Sequence, residues 1–149
     1  MIIASACLLG LNTNYRGENS CHKSMIQLLS QRKVIPVCPE QLGGCPTPRP
    51  PAEITGGTAE AVLDGKARVV RIDGEDVTKE FIQGAQEVLK ICLEVKPGSV
   101  VFKENSPSCG VYSIYDGTHS GVQVPGCGVT TELLRREGFN VISEKDFLS

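Results

Sequence analysis

The chain has 149 residues, a net charge of −2 and a pI near 5.7. Hydrophobic residues make up 40% and charged residues 21%, a globular balance that excludes disorder and collagen-like repeats. The acidic balance argues against a dedicated nucleic-acid domain, which needs clustered Lys and Arg, and no run of about 18 apolar residues is present to span a membrane.

In chain order, residues 1–6 (MIIASA) predict a buried strand, and Gly10 to Asn19 a turn-rich loop. Ser20 is a candidate cap for a helix with Met25, Ile26, Leu28 and Leu29 at helical spacing. Lys33 to Val37 predicts a second strand, which Pro36 demotes towards an edge. Gln41 to Pro51 reads as a Gly/Pro-rich loop, and AEAVLD and KARVVRI around Gly65 as a hairpin. Asp76 is the expected cap of a long helix ending before Pro97. Gly98 to Lys103 predicts the third strand and Asn105 to Gly110 a polar loop. Val111 to Tyr115 is a short extended piece, Asp116-Gly117 a turn, and Thr118 to Gly128 a glycine-rich loop. Thr130 or Thr131 opens a further helix that stops at Gly138, and Phe139 to Ser143 is the fourth strand. Alternating strands and helices predict an α/β fold over 1–149. The expectation is a single Rossmann-like three-layer domain, with a mostly parallel sheet and helices on both faces. The apolar start MIIASACLLG lacks the basic stretch of a signal peptide, so a cytoplasmic protein is expected.

Seven cysteines are the unusual feature: an odd number, and below the roughly 8–10% of a disulfide scaffold. In a reducing compartment, cysteine clusters are more often ligands or catalytic groups. Cys7, Cys38 and Cys109 each fall just past the carboxyl end of a predicted strand, the edge where open α/β sheets bind ligands. Their spacings, 31 and 71 residues, match neither a zinc ribbon nor a ferredoxin run. A zinc ion with an open position and an iron–sulfur cluster with an open iron both suit three thiolates. Cys92 lies on the apolar face of the long helix and reads as core. Cys21 reads as packed or exposed. Cys45 and Cys127 sit on loops that could reach the site.

Around the thiols, Glu40 stands two residues after Cys38, where a carboxylate can orient or deprotonate water. Ser106 and Ser108 bring two hydroxyls beside Cys109, able to hold water or donate to a developing negative charge. Arg49 in TPRPP binds an anionic or carbonyl group, or ties down its loop. Tyr15 and Tyr115 are candidate pocket walls. His22 and His119 read as structural, although His119 lies in a candidate loop. The segment Ser120 to Thr131 precedes a helix N-terminus whose amides offer an anion site, but no GxGxxG or P-loop is present.

An ordered set of motifs runs through nearly the whole chain: SACLLG at Ser5–Gly10, YRG at Tyr15–Gly17, PVCPEQLGG at Pro36–Gly44, PTPRPPAEI at Pro46–Ile54, DVT at Asp76–Thr78, SPSCG at Ser106–Gly110 and IYDGTHSG at Ile114–Gly121. Together they resemble the thiouracil desulfidase family. The resemblance implies a 4Fe–4S cluster held by Cys7, Cys38 and Cys109, with one iron open to the substrate sulfur. It also implies non-redox conversion of a thiolated uracil to uracil and sulfide. Glu40 and Ser106 are then the catalytic candidates, with Ser108 and Arg49 as substrate-binding candidates. Cys45 stands where leucine is usual in the family, so Cys38 and Cys45 compete for the second ligand position. Three other readings stay open: a zinc hydrolase using the same thiols, a cluster or sulfur carrier without catalysis, and a desulfidase acting on thiouridine in tRNA. The small acidic chain favours a small-molecule substrate over nucleic acid.

Overall fold

The computed structural model describes residues 1–148. Its centre is a four-stranded parallel sheet in the order β2-β1-β5-β8, built from β1 (Ile2–Ser5), β2 (Val34–Val37), β5 (Ser99–Phe102) and β8 (Val141–Ser143). Pro36 is accommodated because β2 is an edge strand.

Strand alternation divides the core between the two faces of this sheet. Ile3, Val100, Phe102 and Val141 pack on one face with Val88 and Cys92 of α4 (Thr78–Val95) and Leu134 of α5 (Val129–Arg136). Ala4, Val101 and Ile142 point the other way, towards Met25 of α1 (Lys23–Ser30) and Phe147 of α6 (Glu144–Phe147). Each fully buried Val or Phe here contributes roughly 1.5–3 kcal/mol of apolar transfer. The expected parallel sheet with helices on both faces is therefore present. From β1 the chain reaches β2 on one side, and it later returns to place β5 on the other. That reversal is a topological switch point, and it opens a crevice beyond the carboxyl ends of β1 and β5.

Two small antiparallel sheets flank the crevice. One pairs β3 (Ala52–Thr55) with β4 (Arg68–Arg71), and the other pairs β6 (Ser113–Tyr115) with β7 (Gln123–Pro125). The expected AEAVLD–KARVVRI hairpin is replaced by the β3–β4 pair. Residues Ala59–Leu63 form helix α3, whose N-cap Thr58 accepts a hydrogen bond from Ala61 N–H. Ala, Glu and Leu favour helix, and Val62 is the segment's one β-branched residue. The expected loop Thr118 to Gly128 contains β7, and the loop Gln41 to Pro51 begins within α2 (Pro39–Leu42). Caps shift by one or two residues: His22 precedes α1, Val77 precedes α4 and Gly128 precedes α5. Asp76 still serves α4, since its Oδ1 accepts from Thr78 N–H at 2.9 Å.

Helix α2 lies against α4 through two glycines. A Cβ on Gly43 would stand 1.9 Å from Glu80 O, and one on Gly84 would stand 1.9 Å from Pro39 O. Backbone thus meets backbone beneath the segment that carries Cys38 and Glu40. No described helix is long and apolar enough to cross a membrane.

Candidate functional site

A cavity of about 470 Å³ opens at the switch point, and Cys7, Cys38 and Cys109 all line it. Three elements deliver them. Cys7 sits in the 3-10 turn Ala6–Leu9 directly after β1. Cys38 is the N-cap of α2 after β2. Cys109 lies in the loop after β5. β2, β1 and β5 are successive neighbours in the sheet, so the three thiols fan across adjacent strand ends. Burial pushes the Cys7 thiol up to about 11, and nearby Cys38 adds to the rise. Burial also raises Cys38 and, most strongly, Cys109, where hydrogen bonds from Ser108 and Ser5 pull the other way.

The remaining cysteines separate from this set. Cys92 is fully buried in the core and Cys21 is exposed. Cys45 and Cys127 are half-buried against the apolar cluster around Ile54, Phe81 and Val129. Neither contributes to the cavity wall. All seven thiols are free.

Glu40 is the polar hub. Its Oε1 receives Arg49 Nε at 2.9 Å, and its Oε2 receives Ser108 Oγ at 2.9 Å and Ser106 Oγ at 3.5 Å. The two serine hydroxyls lie 2.9 Å apart. Each hydroxyl has one hydrogen to give. With Ser108 donating to Glu40, Ser106 can donate to Ser108, which makes a chain from Ser106 through Ser108 to the carboxylate. Ser106 Oγ in turn accepts from the N–H groups of Ser108 (3.2 Å) and Cys109 (3.1 Å). Arg49 also donates to Pro46 O, Thr47 Oγ1 and Thr13 O, which ties the 46–49 loop to the 10–19 loop. Four contacts to protein from one guanidinium match the loop-tying alternative for Arg49. Tyr15 and Tyr115 line the cavity, while His22 is exposed at the N-cap of α1.

The Cys109 loop is held from both sides. Glu104, which sequence reasoning passed over, is buried, and its Oε1 accepts from the N–H groups of Val111, Tyr112 and Ser113 at 2.7, 2.7 and 3.0 Å. Burial pushes this carboxyl up, but those backbone donors outweigh it and leave it below the ordinary value. On the other side, Val129 N–H donates to Pro107 O and Thr130 N–H to Ser108 O at 2.8 and 2.9 Å. The N-terminal amides of α5 are thereby spent on the loop, which corrects the expectation that they offer an anion site. Gly128 allows the approach, since a Cβ there would lie 2.3 Å from Ser108 C. Glu53 was also missed. It is a buried carboxylate on β3, and an acidic residue inside a strand pattern was its only signal.

Comparison with known proteins shows the family to which the chain is related. The 2-thiouracil desulfurase family profile matches residues 2–146. The uncharacterized protein YbbK of Bacillus subtilis (strain 168) is 46% identical over 146 residues, covering 98% of this chain and 97% of YbbK. The solved structure of the 4Fe-4S-dependent thiouracil desulfidase TudS superposes with a TM-score of 0.86 at 42% identity, covering 99% of this chain and 92% of that one. The chain therefore belongs to the 2-thiouracil desulfurase family.

Proposed function

We propose that the protein removes sulfur from a thiolated uracil without net redox change, using a 4Fe–4S cluster held by Cys7, Cys38 and Cys109. The observation that carries this reading is the meeting of three thiols and the Glu40–Ser108–Ser106 network in one cavity. The donor set fits the group: thiolates are the ligands of iron–sulfur clusters, and three of them leave one iron without a protein ligand. Among the described residues, no three His, Cys, Asp or Glu side chains converge closely enough to hold a single metal ion. The 42% identity to a 4Fe-4S-dependent thiouracil desulfidase supports the cluster over zinc. When bound, the cluster supplies a soft Lewis acid suited to a thiocarbonyl sulfur.

The chain's own groups do the rest. Glu40 takes a proton from water as the water oxygen bonds to the ring carbon. Arg49 keeps Glu40 aimed, and Ser108 donates to its second oxygen. Ser106 closes the chain and moves a proton at the addition intermediate. The carbon–sulfur bond then breaks as the carbonyl forms, and sulfide leaves with the two protons of the water. No oxidant or reductant enters the balance. Cys45, outside the cavity wall, is a packing residue in this reading and Cys38 is the ligand. The chain acts as one domain in a reducing cytoplasm, on a small thiolated pyrimidine.

The test is anaerobic reconstitution with iron and sulfide, followed by assay on 2-thiouracil and 4-thiouracil. Uracil and sulfide are expected in equal amounts from at least one of them. A fully loaded protein that leaves both bases intact defeats the reading.

A further inference from the structure

The cavity has a second polar wall that the chemistry above does not use. It is formed by Glu53 of β3 and His119 of the 116–122 loop joining β6 to β7. His119 has φ +57, in the left-handed region that a non-glycine residue seldom adopts. Glu53 holds that conformation. Its Oε1 accepts from Gly117 N–H at 2.9 Å and from His119 N–H at 3.2 Å. Its Oε2 stands 3.4 Å from His119 Nδ1, an ion-pair approach rather than an aligned hydrogen bond, and Nδ1 makes no hydrogen bond among the described residues. Both side chains are largely enclosed, 18% and 10% exposed. An enclosed imidazole in an uncommon backbone state, faced by a buried carboxylate, is more than loop packing requires.

The neighbouring carboxylate selects the tautomer. A carboxylate only accepts, so the nitrogen facing it carries the hydrogen. Nε2 is then an acceptor, and no described residue engages it. A pyrimidine thione presents ring N–H donors beside its thiocarbonyl carbon. We propose that His119 reads the substrate ring: its Nε2 accepts a ring N–H of the thiolated pyrimidine, and Glu53 fixes the tautomer and the backbone that make this possible. This inference rests on the proposed desulfidase activity. It assigns ring recognition to the wall formed by β3 and the β6–β7 loop, separate from the thiols and Glu40. His119 is a substrate-binding residue in this assignment and Glu53 a positioning residue.

The test compares 2-thiouracil with its N1-methyl and N3-methyl derivatives on cluster-loaded wild type, His119→Asn and Glu53→Gln. Asparagine tolerates the left-handed conformation, so the loop is kept while the imidazole acceptor is lost. Wild type is expected to lose about tenfold in kcat/KM on methylation of one ring nitrogen, the size of one good hydrogen bond. His119→Asn should raise KM for 2-thiouracil by a similar factor and abolish the discrimination between the methyl isomers, with an unchanged cluster absorption spectrum. Glu53→Gln places an amide N–H where the carboxylate stood, reverses the tautomer and should blunt the same discrimination. Equal treatment of both methyl isomers by wild type overturns the assignment, as does full discrimination retained by both variants. Wild type inactive on every thiolated base would instead overturn the desulfidase reading.

Discussion

Arg49 Nε lies 2.9 Å from Glu40 Oε1, and the two side chains are only 6% and 14% exposed. The pair is asymmetric. Arg49 has three further acceptors in Pro46 O, Thr47 Oγ1 and Thr13 O, whereas Glu40 has no second cation among the described residues. Removing the arginine therefore leaves a largely buried carboxylate without a counter-charge. Arg49→Met should cost about 3 kcal/mol of stability and lower Tm by roughly 10 °C. Adding Glu40→Gln to that variant should recover most of the loss. Thermal melts of the single and double variants measure this, and additive losses would refute the coupling.

Glu40→Gln alone keeps a neutral acceptor for Arg49 and Ser108 but cannot take a proton from water. Turnover should fall by about 10²–10⁴-fold, the usual contribution of a general base. KM and iron content should stay close to wild type. An active Glu40→Gln enzyme would remove the carboxylate from the chemistry.

The cysteines should sort by position. Cys7→Ser, Cys38→Ser and Cys109→Ser should each lose cluster iron and its visible absorption after reconstitution. Cys45→Leu and Cys127→Ala should retain both, because neither thiol contributes to the cavity wall. Loss of iron in Cys45→Leu with retention in Cys38→Ser would transfer the second ligand to Cys45.

Gly84→Ala tests how the site is seated. The new methyl would meet the Pro39 carbonyl at 1.9 Å, and the backbone on both sides must give way. Overpacking of this kind costs about 1–3 kcal/mol. Because α2 carries Glu40 and begins at Cys38, activity should fall more steeply than stability. Unchanged kcat at a lowered Tm would show that α2 is not held by this contact.

Cys92 carries a pH dependence outside the site. Burial raises its thiol from 9.0 to about 11. The folded state then holds the proton more tightly than the unfolded state. The associated stability is full below about pH 9 and is lost as pH rises towards 11. Cys92→Ala is less stable at neutral pH, through the cavity it leaves, but its stability should decline less between pH 9 and 11. Denaturant titrations across that range measure the slope, and parallel curves for the two proteins would contradict the shift.

Much of this architecture was legible in the amino-acid order. Apolar runs at Ile2–Ser5 and Ser99–Phe102, and the helical spacing of Phe81, Ala85, Val88 and Cys92, specify a sheet with helices because local periodicity decides which side chains can be buried. The placement of three cysteines after three strands also pointed to one sheet edge. Local pattern failed where pairing is non-local: AEAVLD took helix, and AEIT became the partner of RVVR, because strand partners are chosen by packing across distance. Tertiary structure alone separated Cys38 from Cys45, spent the amides of α5 on the Cys109 loop, and brought Glu53 across 66 residues to His119. Each of these depends on which groups become neighbours and lose water together. Sequence spacing carries no measure of that.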